Sequence, residues 1–296
     1  MKLRISSLSR KRTLNNPATR SMADLEDFIK PKRLYLSLTL PNMTHDLIKD
    51  GKFEYYTSGE GTPIIILHGL MGGLSNFQGV IDYFPKLGYQ VIVPTLPLYT
   101  MPLIKTSVGT FAKHINKFID HMGFKEVILL GNSLGGHIGL VTTKLYPKKI
   151  KALVITGSSG LYESAMGESY PKRGDYDYIK KKSEDVFYDP AVATKEIVDE
   201  VFGVVNDRKK LIKTLAIAKS AIRHNMAKDL PKMTTPTCII WGKQDGVTPP
   251  NVAEEFHEKL PDSDLFWIDK CGHAAMMEHP EEFNEILHKW LEERQF

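Results

Sequence analysis

The stretch 127–136, which reads VILLGNSLGG, constrains the fold of this chain more than any other. Its first four residues are apolar and predict a short buried strand, and a helical pattern begins behind the glycines. A G-x-S-x-G pattern between a strand and a helix is typical of a nucleophile elbow. A Cβ at position 131 or 135 would crowd such a turn. We therefore expect Ser133 to adopt a strained backbone conformation, with its hydroxyl at the top of a sheet.

Predicted strands and helices alternate on both sides of this turn. The run 63–67 (PIIIL) is continuously apolar, as a strand covered on both faces should be. Ser75 and Gln78 are typical of a capping box, and Gly123 of a helix C-terminus. The predicted strands are 52–57, 63–67, 90–93, 127–130 and 150–156, and the predicted helices are 75–86, 108–122 and 134–146. This alternation predicts right-handed βαβ crossovers and a mostly parallel sheet.

Residues 157–235 interrupt the alternation. Helical patterns occur near 193–202 and 207–222, and no strand is obvious, so we interpret this segment as an inserted helical lid. The pattern resumes with strands at 237–241 and 264–268 and helices at 251–260 and 281–291. The sequence thus predicts an α/β core formed by residues 45–156 and 236–296.

The remaining residues, 1–44, form an N-terminal extension. Residues 1–23 hold six basic side chains and no acid, so they contribute +6 to the net charge of +4 and the rest of the chain carries −2. A nearly neutral remainder gives no reason to expect a nucleic-acid partner. We expect the first 22 residues to be disordered, or Met22 to be the start, with an organelle transit peptide or a basic arm that contacts a partner as alternatives. Residues 23–42 are expected to pack outside the core.

The composition indicates an ordinary globular protein, with 42% hydrophobic and 25% charged residues. No apolar run reaches the length that spans a bilayer. Cys238 and Cys271 provide neither a disulfide framework nor the spacing of metal ligands. We therefore expect a cytoplasmic protein without a metal site.

Two residues downstream of Ser133 have the chemistry and the placement to activate it. A serine nucleophile needs a base, and the base needs an acid that orients it. Asp245 follows the strand 237–241, and His273 follows the strand 264–268. Since loops after parallel strands meet at one edge of the sheet, we expect Ser133, Asp245 and His273 to form a catalytic triad. The alternatives are a turn or cap role for Asp245 and a structural role for His273.

Backbone N–H groups are expected to stabilise the oxyanion that forms when serine attacks a carbonyl. One is the N–H of Leu134, directly after Ser133. The other is the N–H of Leu70, in the loop HGLMGG at 68–73. We expect His68 to brace this loop rather than to act as a second base.

Together these motifs resemble the α/β-hydrolase superfamily. The matching segments are HG at 68–69, GNSLGG at 131–136, WGKQD at 241–245 and GH at 272–273, and the resemblance extends over about 52–290. It implies an α/β-hydrolase fold, with a mostly parallel sheet flanked by helices. It also implies a carboxylesterase-like serine hydrolase that cleaves a small-molecule ester or related acyl bond and needs no cofactor.

Subfamily features leave the substrate open. A serine at the elbow argues against haloalkane dehalogenases and epoxide hydrolases, which use aspartate there. The elbow and the CGH context also resemble the meta-cleavage C–C bond hydrolases, which commonly have Trp where this chain has Ala274. Many relatives have Asp at the position of Thr95 and a Gly-rich turn after Pro97, which this chain lacks. We expect ester hydrolysis, with C–C bond hydrolysis as the alternative.

A third hypothesis, from another class, is a non-catalytic ligand-binding protein on a hydrolase fold, against which the intact triad argues. Met71, Leu211 and Leu215 are expected to contact an acyl group, and Arg223 a substrate carboxylate. The alternatives are that the two leucines pack on the core and that Arg223 is an exposed residue at a helix end. Neither the acyl group nor the oligomeric state follows from the sequence.

Overall fold

The computed structural model describes residues 46–162 and 172–296, and the predictions for residues 1–44 lie outside these ranges. The described chain is built around an eight-stranded sheet. Its strands are β1 (Ile48–Asp50), β2 (Phe53–Ser58), β3 (Thr62–Leu67), β4 (Tyr89–Pro94), β5 (Val127–Asn132), β6 (Ile150–Thr156), β7 (Thr237–Gly242) and β8 (Ser263–Ile268). They lie in the order β1-β2-β4-β3-β5-β6-β7-β8. Strands β1 and β2 pair with their neighbours antiparallel, and the strands from β4 to β8 in this order pair in parallel.

Helices cover both faces of this sheet. They are α1 (Gln78–Tyr83), α2 (Val108–His121), α3 (Leu134–Leu145), α4 (Tyr176–Glu184), α5 (Lys195–Asn206), α6 (Arg208–Arg223), α7 (Pro250–Lys259), α8 (Ala275–Glu278) and α9 (Pro280–Glu293). Alternate residues of β3 enter opposite hydrophobic clusters: Ile65 packs with α2, α3 and α7, whereas Ile66 packs with α1 and α9. A strand buried on both faces must be apolar at every position, which explains the PIIIL run.

The strand and helix predictions of the core are confirmed, with differences at the ends. The predicted capping box at Ser75 is wrong, because Ser75 lies inside a 3-10 turn (Leu74–Phe77) and α1 begins only at Gln78. Gly123 has a φ of 73° and follows the end of α2, as predicted. Strand β1, whose three residues are exposed, has no hydrophobic pattern that would have predicted it.

Residues 157–235, called the insertion below, connect β6 to β7. These two strands pair in parallel, so the insertion occupies a crossover connection. Its described part contains α4, α5 and α6 and no strand. Of these helices, α5 and α6 match the two predicted helical patterns. None of the helices within residues 46–162 and 172–296 has the length and hydrophobicity of a membrane-spanning segment.

Candidate active site

Ser133 occupies the turn between β5 and α3 in a strained conformation, as the elbow pattern predicted. Its φ is 54° and its ψ is −120°, a combination that non-glycine residues rarely adopt. A Cβ on Gly135 would lie 1.9 Å from the carbonyl oxygen of Leu67, and one on Gly131 would lie 2.4 Å from the carbonyl carbon of Gly135. The two glycines therefore allow the strand and the helix to meet closely enough to hold this turn.

Asp245 and His273 form a buried pair. The Nδ1 atom of His273 lies 2.9 Å from Oδ2 of Asp245. The other oxygen, Oδ1, accepts the backbone N–H groups of Val247 (2.8 Å) and Thr248 (2.9 Å), and Oδ2 also accepts the Thr248 hydroxyl at 2.8 Å. These donors satisfy a carboxylate that is only 3% exposed. Because Nδ1 pairs with Asp245, Nε2 is the ring nitrogen of His273 that can accept a proton from a nucleophile.

A side chain at the end of β5 forms a hydrogen bond with the backbone of His273. The side-chain amide of Asn132 donates both to the carbonyl oxygen of Thr156 and to that of His273, at 3.1 Å each. Ser133 and His273 line the same cavity. Sequence reasoning missed Asn132, whose role depends on a residue 141 positions away.

The two segments that carry the predicted oxyanion donors adjoin Ser133. Leu134 is the first residue of α3, where the N–H groups have no acceptor within the helix. A Cβ on Gly69 would lie 3.4 Å from the Cβ of Ser133, so the loop that carries Leu70 passes directly beside the nucleophile. In the same loop, Nδ1 of His68 lies 2.8 Å from the carbonyl oxygen of Gly69. Burial lowers the pKa of His68, which fits a neutral ring that braces the loop.

A cavity of about 330 Å³ opens above Ser133 and His273. The insertion supplies much of its wall through α4, α5 and the segment that follows α4. Its apolar lining includes Met71, Phe187, Val201 and Met277, and its charged lining includes Lys182, Asp185 and Glu200. The site therefore combines an apolar surface with one lysine and two carboxylates from the insertion.

A second cavity, of about 240 Å³, shares residues 70–72 with the first cavity as part of its lining. Thr95 and Tyr99, in the loop that departs from the superfamily pattern, line this second cavity. Glu200 lines both cavities, and burial raises its pKa. The loop that carries Thr95 and Tyr99 is thus a cavity wall together with residues of the loop 68–73.

Of the four predicted substrate contacts, Met71 lines the cavity that contains Ser133. Leu211, Leu215 and Arg223 lie on α6 and are not among the residues that line either cavity. The two leucines are half-buried, and Arg223 is exposed at the last residue of the helix. Buried residues of α6, such as Ile217, instead join the core cluster that includes α2. The structure therefore does not bring these three residues to Ser133.

Sequence reasoning also missed Thr248 and Glu278. Thr248 supports Asp245, and Glu278 accepts the N–H of Gly272 beside His273 at 2.8 Å. The only local signal is the position of each residue, three after Asp245 and five after His273. Within residues 46–162 and 172–296, no group of three or more His, Cys, Asp or Glu side chains could hold a metal ion.

Several known proteins of similar sequence or structure are named as hydrolases. The 2-hydroxy-6-oxononadienedioate/2-hydroxy-6-oxononatrienedioate hydrolase of a Pseudomonas species is 26% identical over 82% of this chain and 92% of its own length. The 2-hydroxy-6-oxo-6-(2'-aminophenyl)hexa-2,4-dienoic acid hydrolase of Metapseudomonas resinovorans is 29% identical over 81% and 88%. Among solved structures, an alpha/beta hydrolase enzyme from the metagenome of Mar Chica lagoon sediments is 62% identical, with a TM-score of 0.72. The match covers 85% of this chain and 100% of that one.

The family model of the alpha/beta hydrolase fold matches residues 62–185 and 177–280, which include Ser133, Asp245 and His273. This match spans most of the described chain. It agrees with the sheet order, the elbow and the 62% identical relative. The chain therefore belongs to the alpha/beta hydrolase fold family and is a hydrolase.

Proposed function

We propose that this hydrolase cleaves a bond to a carbonyl carbon through an acyl-enzyme at Ser133. The observation that carries the proposal is that His273, paired with the buried Asp245, lines one cavity with a serine held in a strained turn. His273 is the general base and then the general acid, and Asp245 orients it. The N–H groups of Leu70 and Leu134 stabilise the oxyanion.

The reaction follows from the protonation of His273. Donation from Nδ1–H to Asp245 keeps Nε2 unprotonated and available to Ser133. As Oγ bonds to the carbonyl carbon, its proton moves to Nε2, and the charge of Asp245 stabilises the imidazolium. The leaving group takes that proton as its bond to the carbonyl carbon breaks. Water then attacks the acyl-enzyme with His273 again as base.

The first candidate substrate is a 2-hydroxy-6-oxo-dienoic acid, whose C–C bond would be hydrolysed. The names of the two curated relatives described above support it over the ester that the sequence motifs favoured. Lys182 offers a positive charge to the substrate carboxylate from the wall of the cavity. In this reaction the leaving group is a carbon atom, which takes the proton from His273.

The second candidate is a carboxylic ester, whose leaving group is an alcohol oxygen. Ala274 favours it, because this small residue stands where the C–C bond hydrolases commonly carry Trp. Ala274 lines the cavity directly beside His273. The same acyl-enzyme chemistry serves both candidates.

A comparison of two substrates separates the candidates. The enzyme is assayed with 2-hydroxy-6-oxo-6-phenylhexa-2,4-dienoate and with p-nitrophenyl butyrate, and kcat/KM is measured for each. A higher kcat/KM for the dienoate supports C–C hydrolysis, whereas turnover of the ester alone supports the second candidate. Lys182→Gln should raise KM for the dienoate about 10-fold and leave the ester unaffected. Lys180→Gln, at an exposed position of the same helix, is the matched control.

A further inference from the structure

Glu278 forms hydrogen bonds with two separate segments, the loop that carries His273 and residues 186–189 of the insertion. It lies on the short helix α8, five residues beyond His273. Its Oε1 accepts the N–H of Gly272 at 2.8 Å, and its Oε2 accepts the N–H of Tyr188, in the insertion, at 2.7 Å. Backbone hydrogen bonds from Ala274 and Asp189 reach the same carboxylate. One side chain thus holds the backbone on both sides of His273 and the segment 186–189 of the insertion.

The same two segments also contact each other directly. The N–H of His273 donates to the carbonyl oxygen of Val186 at 3.0 Å. A Cβ on Gly272 would lie 2.7 Å from that oxygen and 2.8 Å from the nitrogen of Tyr188. Val186 and Phe187 line the cavity above Ser133. The segment that touches the base is therefore also part of the substrate-binding wall.

The contact between the His273 loop and segment 186–189, called the junction below, needs a carboxylate at position 278. An ionised carboxylate accepts hydrogen bonds on both oxygens and donates none, so it can serve N–H groups from two directions. An amide of the same shape offers one accepting oxygen, and its NH₂ group would face a second N–H donor. Burial raises the pKa of Glu278, and the hydrogen bonds from backbone N–H groups oppose that shift.

We propose that Glu278 is a positioning residue that holds His273 in place for Ser133 and couples that position to the docking of segment 186–189. The base is then correctly placed only when the insertion is seated on the His273 loop. A substrate that contacts Val186 or Phe187 can therefore change the position of His273 through this junction. The proposal rests on the proposed role of His273 as the general base.

The first test compares Glu278→Gln with Glu282→Gln. Glu282, on α9, is also partly buried and also has a pKa raised by burial, so it is a matched control. Glu278→Gln should lower kcat for p-nitrophenyl butyrate about 10- to 100-fold, because a displaced base slows the chemical step, and should change KM by a smaller factor, because segment 186–189 forms only part of the cavity wall. Labelling of Ser133 by a fluorophosphonate should slow by the same factor. Glu282→Gln should keep both rates within about twofold of wild type.

The second test does not depend on activity. Hydrogen exchange at the amides of Gly272 and Tyr188 should accelerate together in Glu278→Gln, by about tenfold or more, while the amides of β5 keep their rates. Unchanged exchange at these two amides would overturn the inference. So would a Glu278→Gln enzyme with wild-type kcat when Ser133→Ala is inactive. If Ser133→Ala were fully active, the proposed function would fail, and the exchange result would still decide whether Glu278 joins the two segments.

Discussion

The elbow and the insertion contribute to the same site by different physical means. Every residue of β5 and nearly every residue of α3 is buried, and backbone contacts of the glycines determine where Ser133 lies. The insertion instead presents amphipathic helices, such as α5, whose side chains form the cavity wall. We propose on this basis that the core places the nucleophile, whereas side chains of the insertion select the substrate.

Among substitutions that distinguish the core from the insertion, one at Asp245 in the core should have the largest effect on kcat. Asp245→Asn keeps the shape of the side chain but removes the charge that orients and stabilises His273. We expect kcat to fall about 10³- to 10⁴-fold with every substrate, measured by steady-state kinetics at pH 7.5. A loss confined to one substrate would contradict the assignment of this residue to the chemistry.

An intermediate effect, on the free energy of unfolding, is expected from His137 of α3, where the core contacts the insertion. Its Nε2 lies 2.9 Å from Nδ1 of His224, which follows α6 in the insertion. Burial, and then the neighbouring His224, lower the pKa of His137 to about 3. Because the folded pKa is below the unfolded value of about 6.5, the associated stability is present above pH 6.5 and is lost as pH falls.

Urea unfolding at pH 7.5 and pH 5 measures this loss. His137 should account for a decrease in the free energy of unfolding on the order of 2 kcal/mol between these pH values. His137→Gln should therefore show a smaller decrease than wild type, while the other buried histidines, His68 and His273, contribute equally to both proteins. An equal decrease in the two proteins would show that His137 does not carry the effect.

The smallest effect should come from Glu200 in the insertion. Its carboxylate belongs to the lining of the cavity and should disfavour a substrate tail that carries a negative charge. At pH 8, Glu200→Gln should raise kcat/KM about 3- to 10-fold for an ester with a carboxylate-terminated acyl chain, and leave a neutral ester within about twofold. Glu196→Gln, at an exposed position of the same helix, is the control. If the ratio of the kcat/KM values for the two esters did not change, Glu200 would not contribute to substrate selection.

The parts of the molecule that were predictable are those whose signal is local. Strand β6 was predicted at both ends, since its burial makes most of its residues apolar. The elbow was predictable because its glycines are required by contacts within a few residues. Helix α4 was missed, since its sequence is mostly polar and of its nine residues the buried ones are Ile179 and Ser183.

The supporting contacts of the site could not be predicted for the opposite reason. Asn132 and Glu278 act on backbone groups of segments that are 141 and 90 positions away, and no local pattern encodes such a partner. The periodicity of Leu211 and Leu215 identified a helical face but not what that face would contact. Placement in three dimensions decides whether an apolar face lines a cavity or packs on the core.

Labelling with a fluorophosphonate, followed by peptide mass spectrometry, tests whether Ser133 is the nucleophile. We expect one adduct per chain, on Ser133, with loss of activity in proportion to labelling. Ser133→Ala should show no adduct and at least about 10⁴-fold lower turnover, while Ser75→Ala, at an exposed position, should behave like wild type. An adduct on another residue, or normal turnover by Ser133→Ala, would contradict the account.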